Sequence, residues 1–255
     1  MLQATEKRSF EQVLEGFPKF MKSAKTLMNR LDEIAPIPQN GAILDVGSAQ
    51  GLMLIACAKM GWRAIGIEPW EQARQNAAKL ADHFGVDITL VEGRAEALPV
   101  ESDSFDIVHA NSVIEHVEDA DAAFREAYRV LKPGGVFWFY TASSMCPRQN
   151  EIRGFPAFGW YPDPLKQRIM NWAKRARPEL IGHTERPAIH WFTPWKASRM
   201  LRDVGFRCVY DRWDLRLPSE GGKVHGFGLK LIKRSRALRL ITDVALPDCA
   251  YAAVK

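Results

Sequence analysis

Two acidic residues and two glycines early in the chain have the spacing of a ligand site. An apolar run over 42–44 ends at Asp45, and Gly47 and Gly51 follow in a turn of small residues. Glycine lets the backbone come close to a ligand where a Cβ atom would collide. Glu68 ends the next apolar run about twenty residues later, where a carboxylate can accept hydrogen bonds from both hydroxyls of a ribose. The pattern favours a ligand that carries a ribose.

A strand, a tight turn, a helix and a second strand are needed to position these residues. The sequence has them in that order, with apolar residues up to Val46, a helical pattern over 52–60 and apolar residues over 62–67. A mononucleotide-binding half of a parallel α/β sheet has this arrangement. The alternative is a glycine turn that only packs a helix on a strand and binds nothing.

The glycine spacing distinguishes two classes of ligand. A dinucleotide fingerprint is G-x-G-x-x-G, with a pyrophosphate at the helix N-terminus. Here the run is Asp45-x-Gly47-x-Ala49-x-Gly51. It resembles motif I of the class I S-adenosylmethionine (SAM) methyltransferases, D-x-G-x-G-x-G, with Ala49 in the place of the middle glycine. SAM has no pyrophosphate, but it carries an ammonium and a sulfonium, which suit a nearby acid.

Three later segments extend this resemblance. Ala-Glu-Ala-Leu-Pro at 95–99, Ser-Phe-Asp-Ile-Val at 104–108 and Leu-Lys-Pro-Gly-Gly at 131–135 stand in the order found in the ubiquinone-biosynthesis-type branch, also called methyltransferase type 11. The resemblance covers roughly residues 40–142. It implies an α/β fold with a doubly wound, mostly parallel, seven-stranded sheet of the Rossmann-like class I methyltransferase type.

The resemblance also implies which residues bind the cofactor, S-adenosyl-L-methionine. The turn around Gly47 and Ser48 is expected to face the methionine portion, Glu68 the ribose, and Pro69 and Trp70 the adenine. The family commonly has an acid at position 94 that meets the adenine amino group, whereas the arginine found here cannot accept a hydrogen bond. The backbone at 95 or the side chain at 96 is the expected substitute. The expected cofactor contacts are Asp45, Gly47, Ser48, Gly51, Glu68, Pro69, Arg94, Ala95, Glu96 and Asn111.

Methyl transfer requires a nucleophile aligned with the sulfonium methyl group. Asn111, at the end of the predicted fourth strand, is expected near that methyl group or the methionine portion. A hydroxyl acceptor also needs a base, and histidine suits this role because its pKa lies near neutrality. His116, after the fourth strand, and His190, in a later aromatic segment, are the candidate catalytic residues, and His183 is a third option. No clustered acids predict a divalent metal site.

The chain is predicted to have two parts. Residues 1–38 are expected to form an N-terminal helical segment, and residues 39–255 the SAM-binding methyltransferase domain. Within it, residues 145–195 are predicted to be an insertion after strand 5 that forms a lid on the acceptor side. The insertion holds four of the eight tryptophans among arginines and lysines. Aromatic faces suit a sugar ring or an apolar chain and arginine suits phosphate or carboxylate, but these aromatics could instead form a small core of their own.

The net charge of +5 is unevenly distributed. Residues 223–241 alternate basic and apolar side chains and are predicted to form a basic amphipathic helix. Such a helix can rest on an anionic membrane surface, contact nucleic acid phosphates or pack its apolar side on the sheet, and nucleic acid is the least favoured of these. The sequence has no apolar run of about 18 residues, the length needed for a membrane span. We therefore expect a cytoplasmic protein, with peripheral contact at the inner membrane face as an alternative.

These features predict a SAM-dependent methyltransferase that acts on a hydroxyl of a small molecule or a glycan, such as a polysaccharide or lipid-linked sugar precursor. Two alternatives stay open: C-methylation of a quinone or another isoprenoid ring, and a SAM-binding protein without turnover. The departures at Ala49 and Arg94 keep the latter open. Nucleobase methylation is not favoured, because the turn after the fourth strand lacks both an N/D-P-P-Y-like pattern and a Pro-Cys nucleophile.

Overall fold

The fold is organised around one sheet with helices on both faces. The structure, a computed structural model, describes residues 10–181, 187–221 and 223–255. Its strands are β1 (Ala42–Val46), β2 (Arg63–Ile67), β3 (Thr89–Val91), β4 (Phe105–Asn111), β5 (Leu131–Ala142), β6 (Cys208–Asp211) and β7 (Asp248–Val254). Its helices are α1 (Phe10–Asp32), α2 (Leu52–Lys59), α3 (Glu71–Phe84), α4 (Ala120–Val130), α5 (Asp163–Ala176), α6 (Pro194–Val204), α7 (Arg212–Leu215), α8 (Lys223–Arg234) and α9 (Arg236–Ala245).

The seven strands lie in the order β3-β2-β1-β4-β5-β7-β6. Strands β1 to β5 are parallel to one another, and β7 runs antiparallel to both β5 and β6. The prediction of a doubly wound, mostly parallel, seven-stranded sheet is confirmed. The chain progresses outward in opposite directions from β1 and β4, so a crevice opens above their carboxyl ends. Open α/β sheets bind their ligands at such a switch point.

Apolar side chains cover both faces of this sheet. On one face, α1, α2 and α3 pack over the strands through residues such as Leu31, Ile55 and Leu80. On the other face, α4 and α6 pack over β4 and β5 through residues such as Phe124 and Leu201. Burial on both faces explains why the central strands are nearly continuous apolar runs in the sequence.

The insertion, residues 145–195, returns to the strand that it leaves. Ser143, just after β5, forms a parallel bridge with Phe192, and the Phe192 N–H donates to the Ala142 carbonyl. The buried apolar side chains in and beside the insertion form a separate small core: Ala142, Ile152, Phe158, Met170, Ala173, Ala188 and Trp191. Part of the aromatic set predicted for the lid therefore packs on itself.

Phe192 belongs instead to the main core of the protein. Its side chain has no exposed surface. Its ring centroid lies 6.1 Å from that of Phe124 on α4 and 6.2 Å from that of Phe139 on β5. This residue therefore ties the end of the insertion to the core over the sheet.

Two helix N-caps shape the elements near the C-terminus. Strand β6 ends at Asp211, whose carboxylate accepts the N–H groups of Trp213 and Asp214 and begins α7. The prediction of one basic helix over 223–241 is wrong, because Ser235 divides it into α8 and α9. The Ser235 hydroxyl accepts the N–H of Leu238 and so begins the second helix.

Phe192→Ala is expected to lower the free energy of unfolding by about 3–5 kcal/mol, because it leaves a cavity in the main core. Trp195→Ala, three residues later at a site 59% exposed, is the matched control and should change stability by only about 0.5 kcal/mol. Urea denaturation followed by circular dichroism measures both values. A loss no larger for Phe192→Ala than for Trp195→Ala would show that the insertion is not anchored in the core.

Candidate active site

The turn between β1 and α2 adopts a backbone that suits close approach of a ligand. Gly47 (φ 71°), Ala49 (φ 47°) and Gly51 (φ 72°) all lie in the left-handed region. Ala49 therefore takes the conformation that glycine would supply, at a cost of about 1–2 kcal/mol for an L-residue. A Cβ atom on Gly47 would lie 2.4 Å from Cγ2 of Val113 in the loop after β4. Glycine at 47 thus allows the two loops that border the crevice to meet.

Glu68 joins this turn to the end of β2. One carboxylate oxygen accepts the Ala49 N–H at 2.9 Å and the other accepts the Trp70 N–H at 3.1 Å. The side chain is buried, and burial raises the pKa of Glu68, although the two backbone donors and nearby Arg74 favour the ionised form. Each oxygen keeps a second lone pair that can accept another hydrogen bond. Glu68 is therefore a fixed acceptor at the end of β2.

A cavity of about 250 Å³ opens beside Glu68 and is lined by Pro69, Trp70, Glu92, Gly93 and Arg94. Pro69, Trp70 and Arg94 are thus brought together around one cavity, and their contact with adenine stays a prediction.

The segment after β3 is tied to the loop after β4. Arg94 Nη1 lies 3.5 Å from an oxygen of Glu118 in an exposed ion pair. Glu96 accepts the Glu118 backbone N–H at 2.7 Å, and Ala95 is buried. The side chains of Arg94 and Glu96 therefore connect the segment after β3 to the loop after β4.

Asp45 lies within β1, before the turn, and does not face the open crevice. It is buried, and its carboxylate lies 2.6 Å from Nδ1 of His109 on β4. The His109 ring stacks on Trp138 of β5, with centroids 4.7 Å apart and planes 3° apart. The sequence analysis did not single out His109 and missed this pairing. A signal was available in the sequence. Asp45 and His109 lie two residues before Gly47 and Asn111, the residues predicted at the ends of neighbouring strands, so equal spacing places them side by side.

The end of β4 has a constrained backbone. Asn111 is the exposed last residue of the strand, and Ser112 after it has a left-handed φ of 56°. Left-handed backbone at a residue other than glycine often marks a functional turn. Tyr140 lies beside Asn111 on β5 in the sheet register. Burial is the main cause that raises the pKa of Tyr140, and a hydrogen bond to Asp248 raises it further.

Asp248 connects that tyrosine to the far edge of the sheet. Arg212, at the start of α7, donates to the Asp248 carboxylate at 2.8 Å. The result is a hydrogen-bonded polar network of Tyr140, Asp248 and Arg212. The sequence analysis missed it, because its three members come from separate elements.

Glu115 is the centre of a second buried polar group. It accepts the Thr141 hydroxyl at 2.9 Å, and burial raises its pKa from 4.5 to about 8. Its negative form is further disfavoured by Glu151 of the insertion, whose own pKa is raised by burial. Near neutral pH, Glu115 is therefore mostly protonated.

The two predicted histidines meet at Glu115. His116 Nε2 lies 4.0 Å from a carboxyl oxygen of Glu115. The backbone N–H of His190 donates to the Glu115 carbonyl at 3.2 Å, and His190 Nε2 is buried without a hydrogen-bond partner among the described residues. The His116 side chain and the His190 backbone thus both contact Glu115, although the two histidines are 74 positions apart in the sequence. His183 lies outside the described residues.

Metal-binding groups and membrane-spanning helices are two further features that bear on function. Within 10–181, 187–221 and 223–255, no group of three or more His, Cys, Asp or Glu side chains could hold a metal ion. No described helix combines the length and apolar character needed to cross a membrane.

Glu115→Gln is expected to weaken the dependence of stability on pH. In wild type, the folded state keeps the proton that the unfolded carboxyl releases at its pKa of 4.5, up to a folded-state pKa of about 8. The stabilising contribution of the protonated form is therefore complete below pH 4.5 and is lost as the pH rises toward 8. Its slope is about 1.4 kcal/mol per pH unit.

Urea denaturation at several pH values within that range, on wild type and Glu115→Gln, measures the difference. Glu118→Gln is the control, because the Glu118 side chain is 82% exposed. Equal slopes for wild type and Glu115→Gln would contradict a raised pKa at Glu115.

Comparison with known proteins gives one family. The model of a methyltransferase domain, methyltransferase type 11, matches residues 44–139. A ubiquinone biosynthesis O-methyltransferase of Rhizobium etli is 31% identical over 203 residues, which cover 71% of this chain and 77% of the relative. A protein of the same name from Agrobacterium fabrum is 28% identical over 68% of this chain, and the match spans 66% of that relative's length.

A solved structure supports the same fold. The S-adenosylmethionine-dependent methyltransferase of Mesorhizobium loti superposes with a TM-score of 0.58 at 18% identity, over 90% of this chain and 98% of the other. At that identity the likeness concerns the fold alone.

The crevice fits the cofactor of this family. Gly47 has no side chain between the turn and the loop after β4, where a Cβ atom would clash with Val113. The backbone of the left-handed turn is therefore accessible to a ligand. The Ser48 hydroxyl at the turn is buried and has no hydrogen-bond partner in the described part of the chain. Glu68 offers acceptors at the end of β2, next to a cavity. With its sheet order and its relatives, the chain belongs to the methyltransferase type 11 family of class I SAM-dependent methyltransferases.

Proposed function

We propose that this protein transfers the methyl group of SAM to a hydroxyl on a small aromatic ring of the quinol type. The observation that carries the proposal is the meeting of His116 and His190 at buried Glu115, close in sequence to the end of β4. Such a group can remove a hydroxyl proton at the carboxyl edge of the sheet. The names of the relatives, ubiquinone biosynthesis O-methyltransferases, support a quinol over a glycan hydroxyl.

The cofactor contacts are part of the proposal. Glu68 accepts the ribose hydroxyls, the cavity beside Pro69 and Arg94 receives the adenine, and the turn at Gly47 and Ser48 faces the methionine portion. Asp45 supports this turn from its buried side through its contact with His109. When bound, SAM supplies an electrophilic methyl group on a sulfonium with a good leaving group.

The protein then has to align the acceptor and take up one proton. Asn111 lies at the exposed end of β4, where its side-chain amide can orient the acceptor. His116 or His190 accepts the hydroxyl proton. Because burial keeps Glu115 mostly protonated, it can donate a hydrogen bond to a neighbour without adding a negative charge beside the acceptor oxygen.

A quinol with an isoprenoid tail resides in a bilayer, so peripheral membrane contact through the C-terminal basic segment is consistent with the same proposal. The exposed tryptophans of the insertion, Trp160 and Trp172, are surfaces that a ring or an apolar tail can contact.

Glu68→Ala is expected to weaken binding of S-adenosylhomocysteine by tenfold or more, about 1.4 kcal/mol, because the ribose loses its acceptors. Isothermal titration calorimetry on folded protein measures the affinity. Glu71→Ala, at an exposed position three residues later, is the control and should bind like wild type. Absence of binding to folded wild type would refute the cofactor assignment.

Turnover is expected with a catechol-type quinol that has a short isoprenoid tail, with the new methyl group on oxygen. Mass spectrometry of the product distinguishes O-methylation from C-methylation of the ring. Replacing the true base, in His116→Gln or His190→Gln, should lower kcat by about 10²–10⁴-fold and leave S-adenosylhomocysteine binding unchanged. His83→Gln, on the exposed side of α3, is the control. Methylation of a sugar acceptor but of no quinol would refute the acceptor class.

A further inference from the structure

The two helices α8 and α9 pack against each other as a hairpin and expose several large apolar side chains. On α8, the exposed apolar residues Val224, Phe227 and Leu231 are spaced by three and four positions and so share one face. Helix α9 has no buried residue and exposes Leu238, Leu240 and Ile241. Phe227 is 67% exposed and Ile241 is 64% exposed. Clustered exposure of large apolar side chains is a mark of an interaction site.

Specific contacts hold the hairpin on the rest of the protein. Arg239 pairs with the carboxylates of Asp211 and Asp214 at 3.0 and 2.8 Å. Lys233 Nζ donates to the Asp214 carbonyl at 3.1 Å, and Leu229 is buried. The hairpin is therefore attached through its polar contacts and Leu229, and its apolar face is directed outward by the same contacts.

The charge of the hairpin is strongly positive. Residues 223–245 contain six lysines and arginines but one acid, Asp243. That acid accepts the indole N–H of Trp213 at 2.8 Å. Lys230, Arg234 and Arg236 are exposed and make no ion pair with any described residue. Free cations next to an exposed apolar face match an anionic bilayer, which offers both negative head groups and an apolar interior.

Other partners fit this surface less well. Nucleic acid would neutralise the cations but leave Phe227 and Ile241 in water. A second copy of the chain would bring two sets of unpaired cations together.

The hairpin also rises from the edge of the sheet where the active site opens. It lies in the chain between β6, which ends at Asp211, and β7, which begins at Asp248. Asp248 pairs with Ala142 in the sheet and bonds to Tyr140 beside Asn111. A surface at this edge can receive an acceptor directly from a membrane.

We propose that the α8–α9 hairpin docks the protein on an anionic lipid bilayer, with Phe227, Leu231 and Ile241 inserted among the lipids and Lys230, Arg234 and Arg236 at the head groups. The delivery of a tailed quinol from that bilayer to the site rests on the proposed function. The docking itself does not.

Sedimentation with vesicles tests the docking without any turnover. Wild type should partition into phosphatidylcholine vesicles that contain phosphatidylglycerol about tenfold or more better than into pure phosphatidylcholine, and added salt should weaken the binding. The double variant Phe227→Asp/Ile241→Asp and the triple variant Lys230→Glu/Arg234→Glu/Arg236→Glu should each lose this binding. The triple control Lys79→Glu/Arg202→Glu/Arg207→Glu, at exposed positions elsewhere, has the same net charge and should keep it.

The proposal is overturned if wild type does not bind the anionic vesicles, or if either hairpin variant binds them as wild type does. It is also overturned if wild type is a dimer that Phe227→Asp converts to a monomer, because the face would then be covered by a second copy. Circular dichroism and S-adenosylhomocysteine titration on each variant exclude misfolding. A variant that has lost vesicle binding but still methylates a short-tailed quinol separates docking from catalysis.

Discussion

The buried carboxylate of Glu68 is the contact on which the cofactor side of the molecule depends. It accepts one backbone N–H from the turn after β1 and one from the turn after β2, so a single side chain fixes the distance between them. A carboxylate donates nothing, and its remaining lone pairs suit hydroxyl groups. The side chain that joins the two turns therefore also presents free acceptor positions to the crevice between them.

The loop after β4 makes an equivalent connection between the turn after β1 and the insertion. Val113 closes against Gly47 at one end of this loop, and Glu118 is held by Glu96 at the other. Between them, the Glu115 carbonyl accepts the N–H groups of the 189–190 segment of the insertion. A displacement of this short loop would therefore be felt on both sides of the crevice at once.

Local sequence patterns were enough to predict the glycine turn and the carboxylate at the end of β2, because each depends on neighbours in the sequence. The seven-stranded sheet was predicted from the resemblance to class I methyltransferases. The left-handed backbone of Ala49 shows that the turn keeps its shape without its middle glycine. The pairing of Asp45 with His109 depends on the register of two parallel strands, and the group around Glu115 depends on where a distant insertion docks. Neither leaves a periodic signal. The division of the basic helix at Ser235 was visible only as one serine in an otherwise helical pattern.

The closure of the insertion at its base has an evolutionary consequence. Since Ser143 and Phe192 are bridged beside the end of β5, the chain leaves the sheet and rejoins it at one point. Loop closure depends only weakly on the number of residues enclosed. A segment between these two residues can therefore lengthen, shorten or be exchanged while the strands and the cofactor turn stay where they are. The fold is modular at this point, and the insertion can diverge among descendants of one ancestral scaffold without any rebuilding of the sheet.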